Sequence, residues 1–299
     1  MSAGKIFQGA WILAVCCAVL SGCGRETPPE PKKPNAGEAP AVKPERRETA
    51  APEPAVRAPQ RPRTAAVPPQ PDLKRIAEDE KWGIEFSSDK RTLLRYNPRL
   101  RARRYVIPSG VTVIGKEALS RCSNLASMSI TEGVTVIGES AFSECDNLRN
   151  VVIPSSVETI GEGAFAWCEN LTDVTIAEGV AAIGKRAFWG CDSLTAIAVP
   201  SSVETIGEGA FSGCDALTNV TIAPGVVNIG PRAFERCRHL AAVTIPDGVT
   251  TIGDGAFEGC KSLKSVTIPP SVTRIGKEAF KGCPCEGEIM EKFPDLYRM

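Results

Sequence analysis

Histidine occurs once in these 299 residues, at His239. A single imidazole leaves most metal-ligand, general-base and nucleophile-activation schemes without parts. Aromatic side chains are also few, with 10 Phe, 4 Trp and 3 Tyr. No charge excess exists either: 35 basic residues face 35 acidic ones, so a global nucleic-acid signature is absent. No Gly-x-Ser-x-Gly elbow and no paired-carboxylate signature stands out. An enzyme is therefore the remotest reading, and neither a cofactor nor a nucleic-acid partner is expected.

The apolar run Trp11–Leu20 has ten residues, too short for a stable bilayer span but suited to the h-region of a signal peptide. It ends in Leu20-Ser21-Gly22-Cys23, which resembles the lipobox of bacterial lipoproteins. The resemblance implies removal of residues 1–22 and acylation of Cys23, with Cys16 and Cys17 discarded. Acyl chains at about 0.8 kcal/mol per buried CH₂ make a durable anchor. Gly24, where an Asp favours inner-membrane retention in two-membrane bacteria, points to the outer membrane or cell surface of a bacterial envelope.

Proline is concentrated: 13 of the 24 lie between Pro28 and Pro71. Such a stretch cannot bury enough apolar surface to fold. Residues 23–71 read as the lipidated cysteine followed by a disordered, semi-rigid tether, reaching about 150 Å if fully extended. Charge is then uneven along the rest. Lys90 to Arg104 holds seven basic residues and no acidic one, whereas Tyr105 to Cys283 holds 19 acidic against 13 basic. The run reads either as protection of an exposed sheet edge or as an electrostatic patch. The patch would take anionic lipid, lipopolysaccharide or polysaccharide through Arg99, Arg101, Arg103 and Arg104.

Beyond Tyr105 the chain is periodic. Cysteines stand at 122, 145, 168, 191, 214, 237, 260 and 283, every gap being 23. Gly115, Gly138 and their successors to Gly276 keep the same step, as do Phe142 to Phe280 with Leu119 in the first turn. A phase-locked period of this length means a solenoid. In the turn starting at Leu148, Val151 and Ile153 share one strand face, and Pro154 ends the strand. Val157 and Ile160 form a second short extended segment. Gly161 makes the next corner, because a side chain would clash there or because φ is positive. Ala164, Phe165 and Cys168 fit one face of a short helix. PSSVETIGEGAF occurs at 154–165 and again at 200–211, so a 46-residue pair of turns reads as duplicated.

The pattern Leu-x-x-Val-x-Ile-Pro-x-x-Val-x-x-Ile-Gly-x-x-Ala-Phe-x-x-Cys resembles the BspA-like leucine-rich-repeat family over about 180 residues. The implied fold is α/β: an eight-turn solenoid over residues 105–283, with short parallel strands and one short helix per turn. Residues 72–104 are expected to form an N-terminal cap, with a helix from Asp72 through Trp82 and a hairpin over 84–96. Residues 284–299 are expected to form the C-terminal cap. Family members are mostly bacterial surface or secreted proteins, some of them adhesins. Together with the lipobox and the missing catalytic motifs, the reading is a non-catalytic, monomeric envelope lipoprotein that presents a scaffold to an unknown protein or glycan. The alternative is a structural envelope component without a specific ligand.

Several features have plainer explanations than chemistry. Adjacent rungs point their cysteine side chains in parallel, so reduced core thiols are expected; an isolated bridge such as Cys283–Cys285 is the alternative. No histidine or Cys-x-x-Cys spacing accompanies them to suggest a metal. Gly110–Lys116 and Gly179–Lys185 match Gly-x₄-Gly-Lys, but Glu117 and Arg186 stand where a phosphate loop needs Ser or Thr. His239 reads as a solvated or loosely bonded side chain. The outward strand columns, such as Ser127, Asn150 and Asp173, are small and polar. Trp167 and Trp189, in successive turns, read as cap-like packing or as partner anchors.

Overall fold

The computed structural model describes residues 69–296. Cys23 and the tether up to residue 68 lie outside the described residues. Helix α1 (Leu73–Lys81) is N-capped by Asp72, whose carboxylate accepts from the Arg75 N–H at 3.1 Å. Strands β1 (Glu85–Phe86) and β2 (Thr92–Arg95) form the antiparallel hairpin, turned by Ser87–Lys90 with Lys90 at φ 60°. Strand β3 (Arg104–Val106) opens the run of longer strands, and α2 (Glu286–Lys292) buries Ile289 at the far end.

Each turn contributes two strands. The longer ones, such as Asn150–Ile153, pair in parallel from β3 through Asn219–Ile222 in a six-stranded sheet. The ladder breaks there, and Ala242–Thr244 pairs only with Ser265–Thr267. The two-residue strands, such as Thr159–Ile160, continue the hairpin in a ten-stranded sheet. Alternation decides which side chains enter the core: Val151 and Ile153 are buried between exposed Asn150 and Val152.

The third side of each turn corrects one expectation. Among the described residues, no helix occupies the Gly-x-x-Ala-Phe-x-x-Cys segment. Its peptides alternate instead. The N–H groups of Gly163, Phe165 and Trp167 donate forward to Lys185, Ala187 and Trp189 of the next turn, at 2.7–2.8 Å. Those of Ala164, Ala166 and Cys168 close local bonds to the residue three before. Two positions per turn, four residues apart, take positive φ; in this turn they are Gly163 at 58° and Trp167 at 60°. Tandem turns bury the same apolar positions a helix would. They also use half the N–H groups to bind the next rung, whereas a helix this short repays its nucleation poorly.

Gly161 is not at positive φ; there the clash decides. A Cβ on Gly161 would lie 2.7 Å from the Gly138 carbonyl carbon of the preceding rung. Gly207 faces Gly184 in the same way, at 2.7 Å, with only backbone atoms nearby. Gly207→Ala is therefore expected to cost at least about 1–3 kcal/mol by overpacking. Urea unfolding would show it as a lower midpoint, and an unchanged midpoint would contradict the close approach of these rungs.

The core has a column for each repeated apolar type. From Phe142 to Phe280 the seven phenyl rings stack with centroids 4.8–5.3 Å apart and planes within 9°. Tyr96 lies 23 residues before Leu119 and is buried. Its N–H donates to the Ala118 carbonyl, as the Leu119 N–H does to Ala141. The hairpin thus meets the repeat in the repeat's own hydrogen-bond pattern. All nine cysteines from Cys122 to Cys285 are buried and free. Seven of them, Cys145 to Cys283, donate Sγ–H to a carbonyl 26 residues back, at 3.0–3.2 Å. For Cys168 and its successors that carbonyl belongs to a column phenylalanine, and from Cys191 onward the same carbonyl also accepts the N–H of its own turn's cysteine.

Candidate binding surface

Arg99, Arg101 and Arg103 surround one open hollow of about 410 Å³, completed by Asn124 and Asn147. All three arginines are exposed, and none is ion-paired among the described residues. The same holds for Arg104, which projects from the outer face of β3. Their backbone is pinned while their guanidinium groups are free. Asn97 accepts from the Arg99 N–H at 3.1 Å and donates to the Trp82 carbonyl at 2.9 Å. Asn124 Nδ2 donates to the Leu100 carbonyl at 3.1 Å, and the Arg103 carbonyl takes the N–H of Ala126 at 2.9 Å.

Arg101 and Arg104 also line a second hollow of about 400 Å³, with Trp82, Tyr96 and Tyr105. Its floor holds a buried carboxylate: Asp79, 5% exposed, accepts from Tyr105 Oη at 2.7 Å and Arg75 Nε at 3.0 Å. Burial, then the bond to Asp79, pushes the Tyr105 phenol far up. Burial likewise pushes Tyr96 up to about 12. Both phenols are therefore neutral donors near pH 7, unsuited to proton abstraction. The structure thus brings the four predicted arginines to one end of the scaffold but divides them between two hollows. A free guanidinium fork is matched to phosphate, sulfate or carboxylate oxygens.

Composition did not single out the asparagines, yet they carry a repeat signal of their own. Asn124, Asn147 and Asn170 stand 23 apart, and each side chain donates to the carbonyl 24 residues back. His239 falls in this phase, its Nδ1 lying 2.7 Å from the Asp215 carbonyl, so it takes an asparagine's structural part. The glycine–lysine motifs dissolve as well. Strands Val113–Ile114 and Ala182–Ile183 run through the middle of both, so neither forms a phosphate-cradling loop.

The repeat that builds this scaffold matches the BspA type leucine rich repeat region, in six copies over residues 99–197 and 181–290. The chain belongs to the BspA-type leucine-rich-repeat family. This BspA-type chain is similar in structure to a leucine-rich repeat protein of Eubacterium ventriosum, at 27% identity and TM-score 0.54. That match covers 67% of this chain and 48% of the other, so the chain spans about half the length of that relative. It is also similar to the T. pallidum leucine rich repeat protein, at 28% identity and TM-score 0.54, covering 71% of this chain and 91% of that one. No curated protein matches the BspA-type chain.

Proposed function

We propose that this BspA-type protein is a non-catalytic, lipid-anchored envelope protein whose scaffold binds an anionic surface polymer through Arg99, Arg101, Arg103 and Arg104. The observation that carries the reading is the convergence of four exposed arginines, with no acidic residue between Lys90 and Arg104 and no ion pair to any of the four among the described residues, at one end of the stack. The membership of the repeat family and the lipobox at Cys23 support an envelope setting, at the outer membrane or cell surface. The partner is a glycan or a lipid headgroup bearing phosphate, sulfate or carboxylate.

Binding should weaken steeply with salt, because exposed charges are screened within about 8 Å at physiological ionic strength. The test is sedimentation of full-length protein, purified in mild detergent, with anionic polysaccharide or with vesicles of anionic lipid. Combined Arg99→Gln, Arg101→Gln, Arg103→Gln and Arg104→Gln is expected to weaken binding at least about tenfold and flatten its salt dependence. Capture by one of the two materials identifies the source of the anion. Unchanged binding by the variant would leave these arginines the plainer role of protecting a sheet edge. Non-saturable recovery of everything in an envelope fraction would favour a structural component. Mass spectrometry of the mature N-terminus tests the anchor, the expected species beginning at acylated Cys23; an unmodified soluble product would remove it.

A further inference from the structure

A third concavity lies on the corner side of the central turns, away from the arginine cluster in sequence. It is an open trough of about 600 Å³ lined by Trp167, Trp189, Gly190 and Gly213 among others. That volume is typical of ligand clefts, which run from about 300 to 1,000 Å³. The trough exists because of what these turns lack. At the second positive-φ position, successive turns carry Trp167, Gly190, Gly213 and Arg236. The two glycines leave a floor between two large side chains three rungs apart, about 14 Å at the rung spacing of parallel strands.

Trp167 is placed at a cost. It holds φ 60°, a conformation a bulky side chain rarely adopts, at a position where four other turns use glycine. Its ring lies against Gly190, where a Cβ would come within 2.6 Å of Trp167 Cε3. The ring packs at 55° to Trp189, centroids 4.6 Å apart, and remains 40% exposed. The Arg186 guanidinium sits 5.2 Å over Trp189 and fixes that second ring. Packing alone does not call for this pair, since the other turns close without it.

The walls are charged, with carboxylates in excess, and part of that charge is paired. Glu235 lies 3.5 Å from Arg236 and 4.0 Å from Arg232, and accepts from the Ser212 hydroxyl at 3.4 Å. Arg238 pairs with Asp215 at 3.2 Å. Paired carboxylates and guanidinium groups offer fixed acceptors and donors, and Asp192 and Glu258, in no ion pair among the described residues, add acceptors suited to hydroxyl groups and unfavourable to anions. A half-exposed indole platform at one end of the trough and such pairs toward the other match an extended ligand with apolar C–H faces and a rim of hydroxyl groups. We infer that this trough binds a neutral oligosaccharide, one sugar ring stacked on Trp167 and a later ring of the same chain held through its hydroxyls by the Glu235–Arg236 wall. The site is independent of the arginine cluster, which selects anions.

The test is intrinsic fluorescence of the full-length protein in mild detergent, titrated with neutral hexose and N-acetylhexosamine oligomers of about four to six units. One of these is expected to give a saturable emission change that persists in high salt. Trp167→Gly should weaken it at least about tenfold while leaving the melting temperature undiminished, because glycine relieves the positive φ. Gly190→Ala should also weaken it by displacing the ring. The combined arginine variant should bind these oligomers as the unaltered protein does, so the two sites can fail separately. The inference is overturned if no neutral oligomer saturates, if Trp167→Gly binds with unchanged affinity, or if only a charged peptide or glycan binds and high salt releases it.

Discussion

Truncation of Phe211 to alanine should lower the stability of the solenoid by about 3–5 kcal/mol. The ring is fully buried, lying 5.3 Å from Phe188 on one side and 5.3 Å from Phe234 on the other. Its loss removes the apolar transfer energy of a phenyl group and opens a cavity that the rungs cannot close. Their spacing is fixed by hydrogen bonds such as Phe211 N–H to Ala233 at 2.7 Å and Gly207 N–H to Ile183 at 2.9 Å. A stack of turns depends on nearest-neighbour contacts, so one weak rung divides it into two shorter stacks. Urea unfolding of Phe211→Ala should therefore show a lower midpoint and a less cooperative transition. Phe211→Leu should recover most of the loss, because Leu119 fills the corresponding place in the first turn while remaining fully buried. An alanine variant within about 1 kcal/mol of the unaltered protein, well below the range for such truncations, would mean that the column is filled by rearrangement and does not hold the stack together.

The strands and the core columns were legible in the sequence because they follow from two strong constraints. Side chains alternate along a strand, and a 23-residue period places like residues above one another. The glycine clash at Gly161 was legible as one of two alternatives, and only the approach of Gly138 separates them. The corner was not legible. Ala164, Phe165 and Cys168 are compatible both with a helix face and with two tandem turns. The choice depends on where alternate N–H groups find partners, which lie in the next turn and not in the local sequence. The thiols were legible as reduced core residues, whereas their role as donors to carbonyls was hidden for the same reason.

The alternation of two kinds of corner has a structural cause as well as a duplication behind it. Ser156 accepts from the Gly133 N–H at 3.0 Å and donates to the Val134 carbonyl at 2.8 Å. Ser202 repeats this on Gly179 and Val180, at 2.9 and 2.8 Å, and Ser271 accepts from Gly248 at 3.1 Å. Each Pro-initiated serine corner thus locks onto a glycine corner of the preceding turn, whose left-handed backbone leaves an N–H to be satisfied. Copied sequence in these corners therefore preserves an interlock. The trough could not be found from motifs either. It arises from Trp167 and Trp189 being 22 residues apart in neighbouring turns, and from glycines at positions that tolerate arginine elsewhere. The arginine cluster was the part of the candidate surface visible beforehand, because a run of like charge needs no fold to be noticed. Its division between two hollows required one.

The other large effect expected is alkaline unfolding driven by the cysteine ladder. Burial pushes the Cys214 thiol up to about 12 and holds Cys191 well above its ordinary value of 9.0. Cys145 is also held well above it, first by its neighbour Cys168 and then by burial. In the unfolded chain these thiols ionise near pH 8.5–9. Below that range both states hold the proton, and the stabilisation is fully present. Above it the unfolded chain loses protons that the folded chain keeps, so stability falls as pH rises toward 12. Each thiol removes about 1.4 kcal/mol per pH unit in that window, so these three together remove on the order of 4 kcal/mol between pH about 9 and 10. That is a large share of the roughly 5–15 kcal/mol that holds a domain folded. The urea midpoint, measured under reductant, should be flat from about pH 6 to 8 and fall steeply above 9. Cys191→Ala with Cys214→Ala should be less stable at neutral pH, having lost two buried side chains and their bonds to Phe165 and Phe188. It should also show a shallower alkaline decline. A midpoint that stays level through pH about 10.5, or the same slope in the double variant, would mean that the ladder ionises in place. The thiols would then contribute to packing without making the fold sensitive to base.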